Sequence, residues 1–276
     1  MKTLVLANHK GGVGKSAVAT LLCHYLVRQG QRVLAIDLDH QGNLSKPLQR
    51  TGRVMLAPVS ADLLLGRPVT AAPNHPFVLV ASGDGLCNME RQPLLHNDFA
   101  RNLRGFIRAV DAQFDVCVID THPNIDIRLI SALASADYVL SPIQLTQEAV
   151  DGVHSLLNHS RAGLRKIKAV LNPRLKLIGL LPNIVDPTPF QRQTLIEVID
   201  QYGHLLVRTG PGAGNFALMP KRSAILEAQA EGISLWDMKK TAARDTCREI
   251  EPSLARIVAT VNGAIPLAAG VTSAGV

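Results

Sequence analysis

Lys10-Gly11-Gly12-Val13-Gly14-Lys15-Ser16 packs three glycines, two lysines and a hydroxyl into seven residues. Glycine lets a backbone turn so that successive N–H groups converge on an anion. A helix opening at Ser16 adds its positive N-terminal end. Lys15 then neutralises the β- and γ-phosphates of a nucleoside triphosphate, and the Ser16 hydroxyl faces Mg2+. The generic phosphate loop carries glycine five residues before Gly14. Here that position is His9, the glycines have moved inward, and Lys10 precedes them. The predicted nucleotide-binding run is Lys10, Gly11, Gly12, Val13, Gly14, Lys15, Ser16 and Ala17, with ATP and Mg2+ as ligands.

Two acidic turns accompany this loop. Asp37-Leu38-Asp39-His40-Gln41-Gly42-Asn43 follows an apolar run and offers two carboxylates, which beside a phosphate site can organise Mg2+ and an attacking water. Phe114-Asp115-Val116-Cys117-Val118-Ile119-Asp120-Thr121-His122-Pro123 is an apolar strand pattern ending in Asp120, whose carboxylate would hold the Mg2+ shell. Ser16, Asp37 and Asp120 are thus the predicted metal residues, and Lys15 and Asp39 the predicted catalytic ones. His40 and His122 could suggest metal binding or a general base. Nothing in the sequence pairs them at ligand spacing, so both are expected to serve loop structure.

These turns need a scaffold that aims them at one place. Thr3–Ala7, Arg32–Asp37, Phe77–Ala81, Phe114–Asp120, Tyr138–Pro142 and Lys176–Leu181 read as short apolar strands. Helical patterns lie between them: 16–29, 97–110, 125–135, 146–157, 191–201, 223–231 and 241–261. Continuous apolar strands separated by helices predict an α/β fold, a mostly parallel twisted sheet with helices on both faces. Ligands in such a sheet sit beyond the carboxyl ends of the strands, where all the turns above fall. No repeat or linker divides the chain. One domain is expected over 1–262, followed by a disordered tail at 263–276.

The bulk properties narrow the partners. Formal net charge is +7 over 276 residues, which favours polyanions. Aromatics are only 4%, too few for base stacking to be the main mode of binding. The four cysteines form no CxxC pair, which excludes zinc-ribbon and iron–sulfur patterns and suits a reducing compartment. No signal peptide is evident, and no Lys or Arg follows Arg256, so neither a membrane span nor a basic membrane-targeting helix is expected. Arg161, Arg165, Lys166, Lys168, Arg174 and Lys176 occur with no acidic residue between Asp151 and Asp186. Lys221-Arg222 and Lys239-Lys240 add smaller clusters, and Lys240, Arg244 and Arg248 are spaced to share one face of the last helix. These suggest a surface that tracks DNA phosphates, with Lys221, Arg222, Lys240 and Arg244 as the candidate contacts.

Taken together, the motifs resemble the ParA/MinD family of deviant Walker A ATPases, from Met1 to about residue 250. The Lys10/Lys15 pair, the Asp37–Asn43 segment and the Phe114–Pro123 segment stand in that family's order and spacing. Tyr138–Pro142 and Gly179–Asn183 look like later strands of plasmid ParA proteins, and Trp236–Arg244 is similar to a segment of IncC-type partition ATPases. The resemblance implies an ATP-dependent sandwich homodimer in which Lys10 reaches the partner's nucleotide and Asp39 positions the attacking water. Asn183 and Pro220 look like adenine-facing positions, and the Lys221-Arg222 region matches one that contacts DNA in chromosomal ParA relatives. The implied activity is slow, Mg2+-dependent hydrolysis of ATP to ADP and phosphate, stimulated by a ParB-type centromere-binding protein. The implied setting is plasmid or chromosome partition on non-specific DNA, at the nucleoid in the cytoplasm. The alternative is a related ATPase that positions a protein or membrane cargo. Two departures concern the loops: His40 and His122 stand where the family usually has proline.

Overall fold

The computed structural model of the chain describes residues 1–210, 212 and 214–266. Of the tail expected from residue 263, residues 267–276 lie outside the described residues. Eight strands, β1 (Lys2–Leu6), β2 (Val33–Asp37), β3 (Met55–Leu56), β4 (Phe77–Val80), β5 (Val116–Asp120), β6 (Tyr138–Gln144), β7 (Lys176–Val185) and β8 (Met219–Pro220), form one sheet in the order β3-β4-β2-β5-β1-β6-β7-β8. Every pairing is parallel. Around it run α1 (Lys15–Arg28), α2 (Ser45–Arg50), α3 (Ala61–Gly66), α4 (His96–Ala109), α5 (Ile127–Ser135), α6 (Ala149–Asn158), α7 (Leu164–Val170), α8 (Pro189–Tyr202), α9 (Ser223–Glu231) and α10 (Thr241–Val261).

The strand alternation feeds two separate cores. Val5, Leu34, Ile36, Cys117 and Ile119 point to one face, where they meet α3 to α8. Leu4, Leu6, Val33, Ala35, Val116 and Val118 point to the other, under α1, α2, α9 and α10. Burial on both faces is why these strands read as unbroken apolar runs. It also shows Cys23 and Cys117 to be core residues, whose thiols burial pushes well above the ordinary range.

The sheet order places β1 at the centre, between β5 and β6. The β2–β5 register sets Asp37 level with Asp120, and the β1–β5 register sets Leu6 level with the same residue. Three adjacent strands therefore end at one height, and the loops that follow them face one another across the carboxyl edge.

Candidate functional site: a phosphate loop and two acidic strand tips

The loop after β1 is built around two glycines in the left-handed region, which favours a residue without a side chain. Gly12 has φ +76° and Gly14, the N-cap of α1, has φ +81°. A Cβ at Gly14 would also collide with the side-chain amide of Asn183. No acidic residue occupies the first turn of α1, so the helix itself carries nothing to offset its positive end. Asn8 secures the loop from below. Its Oδ1 accepts from Lys10 N at 2.8 Å, and its Nδ2 donates to Pro142 O at 2.8 Å. Sequence reasoning passed over Asn8, although a buried amide directly after an apolar strand was a signal. His9, which replaces the generic glycine, packs on Ser155 (Nδ1 to Oγ, 3.1 Å) and edge-on to His159. Burial is the main reason its imidazole is held down at about 4, with His159 and then Lys15 acting in the same direction.

Lys15 is buried, and its Nζ donates to Lys10 O at 3.3 Å across the loop. Burial pulls its pKa below the ordinary lysine value, against the opposing pull of Asp120 and then Asp39. Lys10 points elsewhere. Its Nζ pairs with Glu148 Oε2 at 2.6 Å and donates to Thr146 Oγ1 at 3.0 Å, both at the start of α6.

The two acidic strand tips divide the work. Asp37 is fully buried and its carboxylate is engaged by the loop: Oδ2 accepts from Ser45 N at 2.8 Å and Ser45 Oγ at 2.7 Å, and Oδ1 accepts from Asp39 N at 3.0 Å. It thus fixes the turn that carries Asp39, with both oxygens of the expected metal residue already accepting hydrogen bonds. Ser45, at the first turn of α2, was missed because a six-residue helix shows no period to read. Asp120 is equally buried, and among the described residues neither of its oxygens has a hydrogen-bond partner. Burial, reinforced by Asp37, pushes Asp120 up to about 8, while the Ser16 hydroxyl and Lys15 act the other way. A buried, unpartnered carboxylate beside the Ser16 hydroxyl fits a hard cation. Asp39, 5% exposed, accepts from Gln41 N through Oδ1 at 3.0 Å.

A cavity of about 750 Å³ joins these loops. Gly11, Gly12, Gly14, Lys15, Ser16, Ala17 and Asp39 line its floor, with Asn183, Pro220, Lys221 and Arg222 on the far wall. Val13 is buried under the loop. Asn183 donates from Nδ2 to Val13 O at 2.7 Å, so the far wall is tied to the phosphate loop. The next residue, Ile184, has φ +56°, a rare conformation for a β-branched side chain, where β7 bulges against β8. Such outliers tend to gather at functional sites.

The basic clusters fare differently. Lys221 and Arg222 reach the cavity wall, but Arg222 pairs with Glu249 at 2.7 Å and Lys221 with Asp186 at 3.5 Å. Lys240 does not share a helix face with Arg244 and Arg248. It precedes α10 in extended backbone and pairs with Glu227 at 2.7 Å. Arg244 donates to Lys239 O at 3.0 Å, away from the cavity. The acid-free stretch from Asp151 to Asp186 also gains an acidic neighbour in space: Arg161 pairs with Glu90 at 2.6 Å.

The histidines show a second difference. His40 lies three residues past Asp37, and His122 two past Asp120. The strand register therefore sets them side by side, with ring centroids 5.2 Å apart.

Comparison with known proteins places this geometry. An AAA domain family model matches residues 1–177. The chain is 36% identical over 265 residues to the IncC protein of Escherichia coli, covering 91% of this chain and 67% of that protein. It is 35% identical over 193 residues to the chromosome-partitioning ATPase Soj of Thermus thermophilus, covering 67% of this chain and 70% of Soj. The chain belongs to the ParA/MinD family of deviant Walker A ATPases. The fold agrees: cobyrinic acid a,c-diamide synthase of Mycobacterium smegmatis, solved with an ATP analogue and magnesium, superposes with a TM-score of 0.73 at 25% identity, over 97% of this chain and 98% of that one. That synthase shares this chain's fold, so the fold alone does not fix a function.

Proposed function

We propose that this chain is a ParA-type DNA-segregation ATPase. The observation that carries the reading is the convergence of Lys15, Ser16 and Asp39 on one cavity behind a glycine loop, with the buried, unpartnered Asp120 at the strand tip just before the lining residue Thr121. The loop N–H groups and Lys15 bind the triphosphate of ATP, and Asn183 and Pro220 wall its base. Ser16 and Asp120 hold Mg2+, while Asp37 holds the Asp39 turn. Bound there, Mg2+ would neutralise negative charge on the β- and γ-phosphates. Asp39 orients the attacking water. The sequence likeness to IncC and to Soj, named for chromosome partitioning, supports DNA partition over cargo positioning.

ATP closes two chains into a homodimer, and Lys10 leaves Glu148 to reach the partner's phosphates. The dimer holds nucleoid DNA through Lys221, Arg222 and neighbouring cations, irrespective of sequence. A ParB-type partner speeds hydrolysis and so releases the DNA. Light scattering with and without ATP, set beside calorimetric ATP binding, tests the assignment of the two lysines. Lys15→Ala is expected to lose ATP binding; Lys10→Ala is expected to keep it and fail to dimerise. ATP affinity unchanged in Lys15→Ala would end the phosphate-loop assignment.

A further inference from the structure

We infer that Asp39, His40 and His122 form a binding site for a divalent transition-metal ion of the Zn2+ type. One potential ligand atom from each of the three side chains lies within 4.8 Å of the other two. The residues come from two separate strand tips, so the cluster is a product of the β2–β5 register and not of local sequence. Tetrahedral nitrogen and oxygen ligands at zinc distances sit about 3.4 Å from one another. Asp39 Oδ1 and His40 Nδ1 already stand 3.6 Å apart. Rotation of two partly exposed imidazoles on loops closes the remainder.

The ligand set selects the metal. Imidazole with carboxylate suits zinc and its neighbours in the first transition row, whereas Mg2+ prefers oxygen alone. The two cation sites are therefore chemically distinct: Ser16 and Asp120 for Mg2+, and the histidine pair for the softer ion. The surroundings accommodate the charge. Arg128, whose Nη1 donates to His40 Nδ1 at 3.4 Å, gives up that bond when the metal takes the Nδ1 lone pair, and its charge stays paired with Asp126, which accepts from its Nε at 2.9 Å. With His40 ligating through Nδ1, its Nε2–H faces the Gln41 side-chain amide, now 2.7 Å away, whose oxygen can accept once the amide is turned over. That is the outer-shell partner which orients a ligating imidazole. His122 exchanges a 3.1 Å bond from the Asn124 N–H, at the exposed end of the loop, for the metal. Asp39 Oδ1, which accepts from Gln41 N at 3.0 Å, has a second lone pair for the metal, and its Oδ2 accepts no hydrogen bond among the described residues. The functional consequence, which rests on the ATPase reading, is that a metal on Asp39 withdraws the carboxylate from the attacking water. Zinc should then slow ATP turnover.

The full chain, free of nucleotide, is titrated with Zn2+ in competition with a chromogenic chelator, and in parallel with Co2+, whose visible absorption reports its coordination. The expected result is one Zn2+ equivalent that millimolar Mg2+ does not displace. His40→Gln and His122→Gln should each weaken it at least tenfold, and the double variant should lose it. Circular dichroism confirms that each variant is folded. Equal Zn2+ affinity in wild type and the folded double variant overturns the site. A second arm measures ATP turnover with Zn2+, relative to each variant's own zinc-free rate. Inhibition confined to wild type upholds the coupling. Zn2+ binding with the expected variant dependence but no inhibition leaves the metal site standing and removes Asp39 from hydrolysis.

Discussion

Replacing Gly14 by alanine should damage the chain through two separable effects. The first is conformational: φ +81° lies in the left-handed region, which costs an L-residue about 1–2 kcal/mol. The second is steric, because the new Cβ collides with Asn183 and expels the amide from its 2.7 Å bond to Val13 O. A lost buried hydrogen bond adds about 1 kcal/mol. The sum of about 2–3 kcal/mol corresponds to a fall of about 3–5 °C in Tm for a chain of this size. Gly12→Ala is the internal control. Its φ of +76° carries the same conformational cost, but no atom lies within 4 Å of its Cβ position. It should therefore cost only about 1–2 kcal/mol. Thermal and urea unfolding measure both, together with Asn183→Ala and the Gly14→Ala/Asn183→Ala double variant. Because the two single changes break the same bond, the double variant should be less destabilised than their sum by about 1 kcal/mol. Additivity within about 0.3 kcal/mol, or a Gly14→Ala no worse than Gly12→Ala, would refute the steric argument.

Two further outcomes follow from the acidic strand tips. Asp120 is held up at about 8 by burial, above its unfolded value of 3.8. This group's contribution to stability is therefore complete below about pH 4 and is lost as pH rises through about 8. Mg2+ must displace the same proton, so the Mg2+-dependent rise in Tm should grow between pH 6 and 8 and level off above; Asp120→Asn should abolish the trend, and a flat profile in the native chain would count against Asp120 as a ligand. Asp39→Ala should bind ATP and dimerise but not turn over, and single-turnover hydrolysis at the native rate would assign the water to another residue.

The parts of this molecule visible in the sequence are those that depend on local pattern. The strand from Val116 to Asp120 was legible because four apolar residues end on a carboxylate, and α9 and α10 matched their expected bounds because their turns bury a repeating face. The short elements were not legible. Six residues at Ser45–Arg50 or Ala61–Gly66 complete fewer than two helical turns, and the two residues of β8 have no alternation to show. Contacts across the fold were also hidden. No spacing rule reports that Glu90 neutralises Arg161, that Glu249 neutralises Arg222, or that His40 meets His122. The site followed the same division: the glycine loop was readable from residue types, whereas the hydrogen bonds that Ser45 gives Asp37, and the lack of any on Asp120 among the described residues, are fixed only by the fold.

The central claim is that ATP converts this chain into a DNA-binding dimer, and mobility shifts on random duplex test it most directly. Each neutralised phosphate contributes roughly −0.9 to the slope of log affinity against log salt. Two chains on one rigid body double the contacts, so affinity should rise far more than twofold on dimerisation. The expected result is a shift that requires ATP, ignores sequence and weakens steeply with salt. It should disappear in Lys15→Ala and fall in the Lys221→Glu/Arg222→Glu variant without loss of ATP binding. Glu249→Gln, which frees Arg222 from its 2.7 Å ion pair, should strengthen it. No shift with ATP at low salt, or an equal shift without nucleotide, would contradict the account.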